Sequence, residues 1–516
     1  MSRRIGIAAL IWGTSVLLSR VIGVVREGVI GRVLGGGGEA DVYWSAFVLP
    51  DFLNYLLAGG ALTIVFIPIF SRYLTEGDED GGWRAFSRIA NFVVLVLGLA
   101  TAGLWVAADE LVPYIAPGFS QEQLTELARL TRIVLPAQIF HVVGGLLSAV
   151  LQAKDRHGEA AFANLGYTGC IVGMGLVFGP TWGAEAFAWG VLIGSILGPF
   201  GLPLVGCLRT RLSWMPALSL RDPDFRTYLK MSVPIMLGFS IMVVDDWLLK
   251  RYGSLVDEGV VSRLQYAKIL MKVPMGVFGL AVGTAAYPTL SRLMAEGRAS
   301  EGYAMVVRTC RLVLVLALTS QAALTVAGAD IAEVIWGTDR FTGAELDEIG
   351  LFTGAFCLAL GAWASSSIIA RGFYADRNTW TPTLIGSVCV LLFWPLYRWL
   401  GAEHGGLGLA LASSAAVGTY VTVLAWVLRR KMAGPEAPRI GGVVLRMVPA
   451  VVLAVVAGRA LDSVMAFPAL LQGAITGTVA LILTLVLARL FGVPEVSEVV
   501  SLIATKVRSR LPTRSG

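Results

Sequence analysis

Windows of about 20 apolar residues recur along the whole chain, and each is long enough to cross a bilayer as a helix. They fall near residues 5–34, 43–70, 86–108, 130–153, 160–179, 185–208, 228–250, 260–290, 304–328, 349–374, 380–400, 405–429, 442–460 and 467–491. In the hydrocarbon core, backbone N–H and C=O groups find no water, so a spanning segment must close its hydrogen bonds as a helix or within a complete barrel. The apolar runs are continuous rather than alternating, which excludes a barrel. The fold class that follows is an all-α polytopic membrane protein with about fourteen transmembrane helices. Composition agrees: 56% of the 516 residues are hydrophobic and 15% are charged, whereas a soluble domain carries about 25% charged residues.

Loop charge sets the orientation. With the N-terminus in the cytoplasm, the inner loops hold Arg72, Arg84 and Arg88; Lys154 and Arg156; Arg209, Arg211, Arg221, Arg226 and Lys230; Arg292 and Arg298; Arg371 and Arg377; and Arg429, Arg430 and Lys431. The opposite loops carry Asp109, Glu110, Glu122 and Glu126, then Asp330, Glu333, Asp339, Glu345, Asp347 and Glu348. This positive-inside bias places both termini in the cytoplasm. The N-terminal run passes straight into Ser19-Arg20 without a small-residue cleavage site, so it reads as an uncleaved first helix. One exception is the segment 250–263, where Lys250, Arg251 and Arg263 fall on the outer side.

Short matches recur at a spacing of about 221 residues. Asp155-Arg156 is answered by Asp376-Arg377, Pro68 to Arg72 by Pro288 to Arg292, and Ala46 by Ala267. The expected organisation is two parallel six-helix lobes, 1–220 and 221–434, then an extra helix pair at 435–495 and a basic cytoplasmic tail at 496–516. Two-lobed transporters of this kind place substrate between the repeats.

Several functions lack their residues. The five cysteines have no metal-ligand or disulfide spacing, His141, His157 and His404 are scattered, and no phosphate-cradling Gly-rich loop precedes a Lys-Ser/Thr. No cofactor, metal site or nucleic-acid partner is therefore expected, and this chain alone does not hydrolyse a nucleotide. Asp222-Pro-Asp224 resembles the acidic pair of a metal-dependent glycosyltransferase, but it lies in a basic loop of turn composition.

The first helix carries Arg20, Arg26, Glu27 and Arg32, followed by Gly35 to Gly38 and Asp41. Ionisable groups at membrane depth usually face a bundle interior or a wet cavity. Positions seven apart share a helical stripe, which aligns Ser15, Ser19 and Arg26, and Arg20 with Glu27. Small hydroxyls beside arginine suit an anion, because guanidinium binds phosphate through two parallel hydrogen bonds. The structural alternative pairs Arg20 with Glu27 and lets Arg32 snorkel to the interface. Asp41 reads either as a cap on the second helix or as a gate or ion-coupling group. Lys268 and Lys272 share a face of the eighth helix, as cavity cations or as a snorkelling interfacial pair. Asp245 and Asp246 read as cation ligands or as partners of Lys250 or Arg251.

The stretch from Ser19 to Tyr73, with SRVIGVVRE, GRVLGGGGEAD, FVLPDFLNYLLAGGA and FIPIFSRY, resembles the MurJ (MviN) family of lipid II flippases in the MOP exporter superfamily. LMKVPMGVFGLAVGTAAYPTLS (270–291) and GFYADRNTWTP (372–382) extend the resemblance. It implies export of an undecaprenyl-pyrophosphate-linked peptidoglycan precursor across the bacterial cytoplasmic (inner) membrane for cell-wall synthesis. Transport would proceed by alternating access, driven by sodium, protons or membrane potential. The implied partners are the lipid-linked oligosaccharide, membrane lipid and cell-wall synthesis proteins. The resemblance places Arg20, Arg26 and Asp41 on functional positions, and it implies a remnant sodium site built from Asp245 or Asp246 with Asn378. The chain departs from the family pattern where it has Asn54, Tyr55 and Gly59 in place of charged residues, and Lys268, Ile269 and Lys272 in place of an Asp-Arg pair and a Glu.

Competing readings are a flippase for another polyprenyl-linked glycan, a multidrug antiporter and a non-transporting scaffold for envelope synthesis. The basic first-helix stripe opposes an organic-cation antiporter, whose site would use carboxylates.

Overall fold

The computed structural model describes residues 22–498 apart from 59–60, 157, 220, 237–240, 277, 279–280, 377 and 435–436. Arg20, with Ser15 and Ser19, lies outside the described residues, as do Gly59 and the basic tail.

All regular structure among the described residues is helical. In order these helices are α1 (22–34), α2 (Gly38–Ser45), α3 (Val48–Ala58), α4 (Ala61–Glu76), α5 (Glu79–Val106), α6 (Ala108–Ile115), α7 (Gln121–Val134), α8 (Ala137–Ala153), α9 (Gly158–Trp182), α10 (Ala184–Ser195) and α11 (Leu202–Leu208). There follow α12 (Pro223–Met236), α13 (Ile241–Gly253), α14 (Val260–Met275), α15 (Ala281–Ala295), α16 (Ala299–Trp336), α17 (Gly343–Cys357), α18 (Leu360–Ala375), α19 (Trp380–Met432), α20 (Gly441–Asp462) and α21 (Ala469–Leu490).

Eight described helices or continuous helix pairs are long and apolar enough to cross a membrane, or nine if the α17–α18 pair, bent by 43°, is one span. The described residues of the other expected windows are also largely helical. Window 43–70 holds the end of α2, then α3 and α4, window 228–250 holds parts of α12 and α13, and window 260–290 holds α14 and α15; residues 59–60, 237–240, 277 and 279–280 within them lie outside the described residues. Windows 380–400 and 405–429 form the two arms of α19, which is broken at non-helical Gly405 (φ 57°, ψ −139°). Large apolar side chains such as Leu99, Val106, Leu391 and Leu445 point outward, while Ser, Thr and Gly are common inside. That inversion suits a protein solvated by lipid, and the chain is a multi-pass membrane protein.

Two compact units make up the chain, Met1–Ser262 and Arg263–Gly516. This division falls two helices later than the repeat boundary near residue 220, because α12 and α13 pack with the first unit. Phe225 of α12 stacks edge-on against Phe92 (4.8 Å) and Trp247 of α13 lies against Phe52 (6.3 Å). In that unit α3, α4, α5 and α8 share a core around Phe66, Phe70, Trp83 and Phe86. The neighbouring rings meet at 5.4–6.0 Å.

α9 and α10 lie antiparallel at very close range. Gly190, Gly194 and Gly198 form a ridge, and a Cβ on each would come within 2.9, 2.7 and 2.4 Å of Ile171 Cα, Tyr167 O and Ala163 O. The last lies in a π-helical turn, Ile196–Gly201, which contains Pro199. Pro199 has no N–H to donate to the preceding turn, so the hydrogen-bond ladder is broken there. Along the continuing helix, Ser195 faces His141 of α8, and the Cys207 thiol donates to Leu147 O (3.5 Å) of the same helix.

The second unit is built on α16, whose 38 residues extend about 57 Å. Val315, Ala322 and Val326 of α16 pack against Met447, Ala450 and Ala454 of α20 and Ala480 of α21. The C-terminal helix pair is thus held through small residues on one face of α16.

The internal repeat reappears as backbone motifs about 220 residues apart. α4 and α15 each end in a left-handed glycine, Gly77 (φ 76°) and Gly297 (φ 75°). The bonds Asp78 N–H to Tyr73 O and Arg298 N–H to Leu293 O (3.0 and 2.9 Å) complete the same C-terminal motif. α7 and α17 each begin with a capping box, Ser120 with Gln123 and Thr342 with Glu345. Gly183, between α9 and α10, has nearly the dihedral angles of Gly405.

Replacing Gly194 by Ala is expected to cost about 1–3 kcal/mol through backbone overpacking. Gly173→Ala, where a Cβ meets nothing within 4 Å, should be neutral or slightly stabilising. Thermal unfolding in detergent checks the pair, and equal melting temperatures would contradict the close packing.

Candidate functional site

The first unit gathers polar side chains from six helices. Arg26 on α1 donates to the Glu27 carboxylate, with Nε at 3.0 Å and Nη2 closer. Glu27 is buried, whereas the Arg26 side chain keeps 29% of its surface exposed. Arg26 also lies within electrostatic reach of Tyr43 on α2 and Tyr167 on α9, and Tyr167 is within reach of Asp51 on α3. The Tyr167 ring meets His141 of α8 edge-on at 5.1 Å. His141 Nε2 is 2.9 Å from Ser195 Oγ on α10. Ser195 spends its own proton on Val191 O (2.6 Å), so its oxygen accepts from the imidazole. A guanidinium with two phenols in reach can hold an oxyanion, and the Glu27 carboxylate neutralises the cation otherwise. Arg32 lies on the exposed side of α1.

Sequence reasoning found Arg26 but missed Tyr167, His141 and Asp51. Polar residues inside apolar windows were the available signal, although no spacing rule links residues on separate helices.

At one end of this unit, carboxylates cap helices other than their own. Asp41 was expected either to cap the second helix or to serve as a gate or ion-coupling group. It lies inside α2, and its carboxylate accepts from Gly259 N–H (2.7 Å) and Ser262 N–H (2.6 Å), capping the start of α14. It is 1% exposed. Glu258 in turn accepts from Gly38 N–H (3.0 Å) at the start of α2. Glu39 accepts from Ala184 N–H (2.8 Å) at the start of α10. Each carboxylate meets unpaired donors and the positive end of a helix dipole.

The outer-side cations at 250–263 are not loop charges. Lys250 is buried, Arg251 donates to Tyr114 O, and Arg263 pairs with Glu345 (3.2 Å) and Glu348 (2.8 Å).

Asp245 is buried and Asp246 half-buried on α13. The Asn378 side chain donates to Thr381 Oγ1 (2.9 Å) and accepts from Thr381 N–H (3.1 Å), a local turn at the start of α19. In the second unit Lys268 is 1% exposed. Its ammonium lies 5.9 and 5.8 Å from the Phe356 and Trp363 ring centres. This burial rules out the interfacial snorkelling expected as one reading of Lys268. Lys272, one turn along, is half-buried.

Asp222 and Asp224 are structural. Asp222 caps α12 through Asp224 and Phe225 N–H (both 3.1 Å) and pairs with Arg88. Asp224 accepts from Arg72 (2.7 and 2.9 Å) and from Tyr73 Oη (2.5 Å). The hydrogen bond to Asp224 raises the Tyr73 phenol above its usual value.

This helical fold is shared with transporters of the MOP superfamily. A multidrug-resistance MATE family transporter in its inward-facing conformation superposes with a TM-score of 0.66 at 12% identity, over 80% of this chain and 94% of that one. A lipid II flippase in an inward closed conformation superposes with a TM-score of 0.77 at 19% identity, over 93% and 98%. The family model of the lipid II flippase MurJ matches residues 30–483, and the chain belongs to that family. The lipid II flippase of Burkholderia cenocepacia is 26% identical over 419 residues, 79% of this chain and 81% of the relative.

Asp41→Ala would strand two buried donors, at about 1–3 kcal/mol each. We expect a lower melting temperature and faster hydrogen exchange at the Gly259 and Ser262 amides. Unchanged protection at both amides would refute the capping role.

Proposed function

We propose that the chain exports lipid II, the undecaprenyl-pyrophosphate-linked peptidoglycan precursor, across the cytoplasmic membrane by alternating access. The observation that carries this reading is Arg26, a half-exposed guanidinium inside an apolar unit, with tyrosines in electrostatic reach and Glu27 as its resting partner. A pyrophosphate can displace Glu27 and take the planar fork through two parallel hydrogen bonds. The polyprenyl tail needs no polar partner and stays in lipid. On the sequence alone we assign Arg20, Arg32 and Lys272 as further cations for the substrate. Lys268, buried beneath two aromatic rings, positions α14 rather than meeting substrate.

Asp41 acts as a reversible latch in this proposal, and its bonds to Gly259 and Ser262 break when the outer end opens. Transport runs on membrane potential or on a sodium or proton gradient, with Asp245 and Asp246 as the coupling carboxylates. Both termini lie in the cytoplasm, as the positive-inside bias supports. The step breaks no covalent bond, and cell-wall synthesis proteins consume the exported lipid.

The test is complementation of a bacterial host depleted of its own lipid II flippase. Expression of this chain should restore lipid II to the outer leaflet. Arg26→Ala should lower transport roughly ten- to a hundredfold at normal protein levels, the loss of a charged hydrogen bond worth about 1.5–3 kcal/mol. Failure of the well-expressed chain to rescue would remove the lipid II assignment. Full rescue by Arg26→Ala would remove the role given to Arg26.

A further inference from the structure

Away from the polar cluster, a cleft of about 590 Å3 opens near the Gly183 end of the α9–α10 pair. α7, α9 and α10 supply its walls, with Arg129, Thr181, Trp182, Glu185 and Trp189 at the rim and Phe178 beside them. Met174 and Ile193 line it farther along. Each lies eight residues from a rim position, Trp182 or Glu185, so the cleft runs about 12 Å along the helices from a polar mouth to an apolar floor. That gradient is the shape of an amphiphile.

The mouth selects for charge. Arg129 binds Glu126 (2.8 and 3.0 Å) and Glu185 (2.5 Å), so one guanidinium serves two carboxylates and the group keeps a net negative charge. Glu185 also accepts from Trp189 Nε1 (3.1 Å), which fixes that indole at the rim. Phe178 and Trp182 are stacked at 4.7 Å, and both indoles remain substantially exposed. A carboxylate flanked by exposed indoles is an arrangement that binds ammonium groups. Tryptophans at a helix end also suit the headgroup layer of a bilayer.

We propose that this cleft binds a phospholipid with an ammonium headgroup. The ammonium lies between Glu185 and the rings of Trp182 and Trp189, the phosphate lies toward Arg129, and an acyl chain lies over Met174 and Ile193. The site is separate from the residues assigned to substrate and does not rest on the transport reading.

The test is native mass spectrometry of the full-length detergent-solubilised protein. It is titrated with phosphatidylethanolamine and with phosphatidylglycerol of identical acyl chains. The first should bind roughly fivefold more tightly, as expected for an ammonium held by aromatic rings. Glu185→Gln and Trp182→Leu should each abolish that preference. Trp182 is half exposed, so its replacement leaves the helix packing in place if Glu185→Gln perturbs folding. Equal binding of the two lipids overturns the proposal, as does a preference that survives both substitutions. A preference for phosphatidylglycerol also overturns it and makes the cleft an anion site centred on Arg129.

Discussion

A helix that starts inside a membrane protein leaves backbone donors with no water to satisfy them, and here carboxylates remote in sequence meet that demand. Asp41 covers the start of α14, Glu258 the start of α2, and Glu39 the start of α10. None of these helices is capped by its own side chains at those bonds. One set of hydrogen bonds thus satisfies these helix starts and ties each to a residue remote in sequence.

The second principle is repetition at the level of backbone motif rather than side chain. Gly77 and Gly297 end equivalent helices in the same conformation, and Ser120 and Thr342 begin equivalent helices with the same capping box. The side chains around these motifs have diverged. Trp83 and Lys154 stack in the first unit (5.2 Å), whereas Lys268 stacks on Phe356 and Trp363 in the second. Turns and caps restrict the backbone to few residue types, while apolar faces tolerate many substitutions of similar volume.

Apolar windows and loop charge made the helices legible, because bilayer thickness imposes a length and the loops carry a bias. The family resemblance made Arg26 and Asp41 legible as candidates. The partners of these residues were not legible. Asp41 meets amides more than 200 residues away, a backbone contact with no side-chain pattern in the sequence. Arg251 and Arg263 looked like outer-loop charges because their partners, a carbonyl at Tyr114 and carboxylates at Glu345 and Glu348, are equally remote. His141 and Tyr167 were hidden for a different reason. Each lies in a long, largely apolar run of its own, and only packing brings the two together.

The π-helical turn at Ile196–Gly201 acts as a gear. Ser195 and Cys207 are twelve residues apart, and an unbroken α-helix would place them about 120° apart around its axis. Both nevertheless face α8, through His141 and Leu147. The wider turn takes up that angle, so one helix keeps a single partner above and below the proline. The length of this short segment, more than its side chains, sets the rotational phase between the polar cluster at Ser195 and the apolar packing at Cys207.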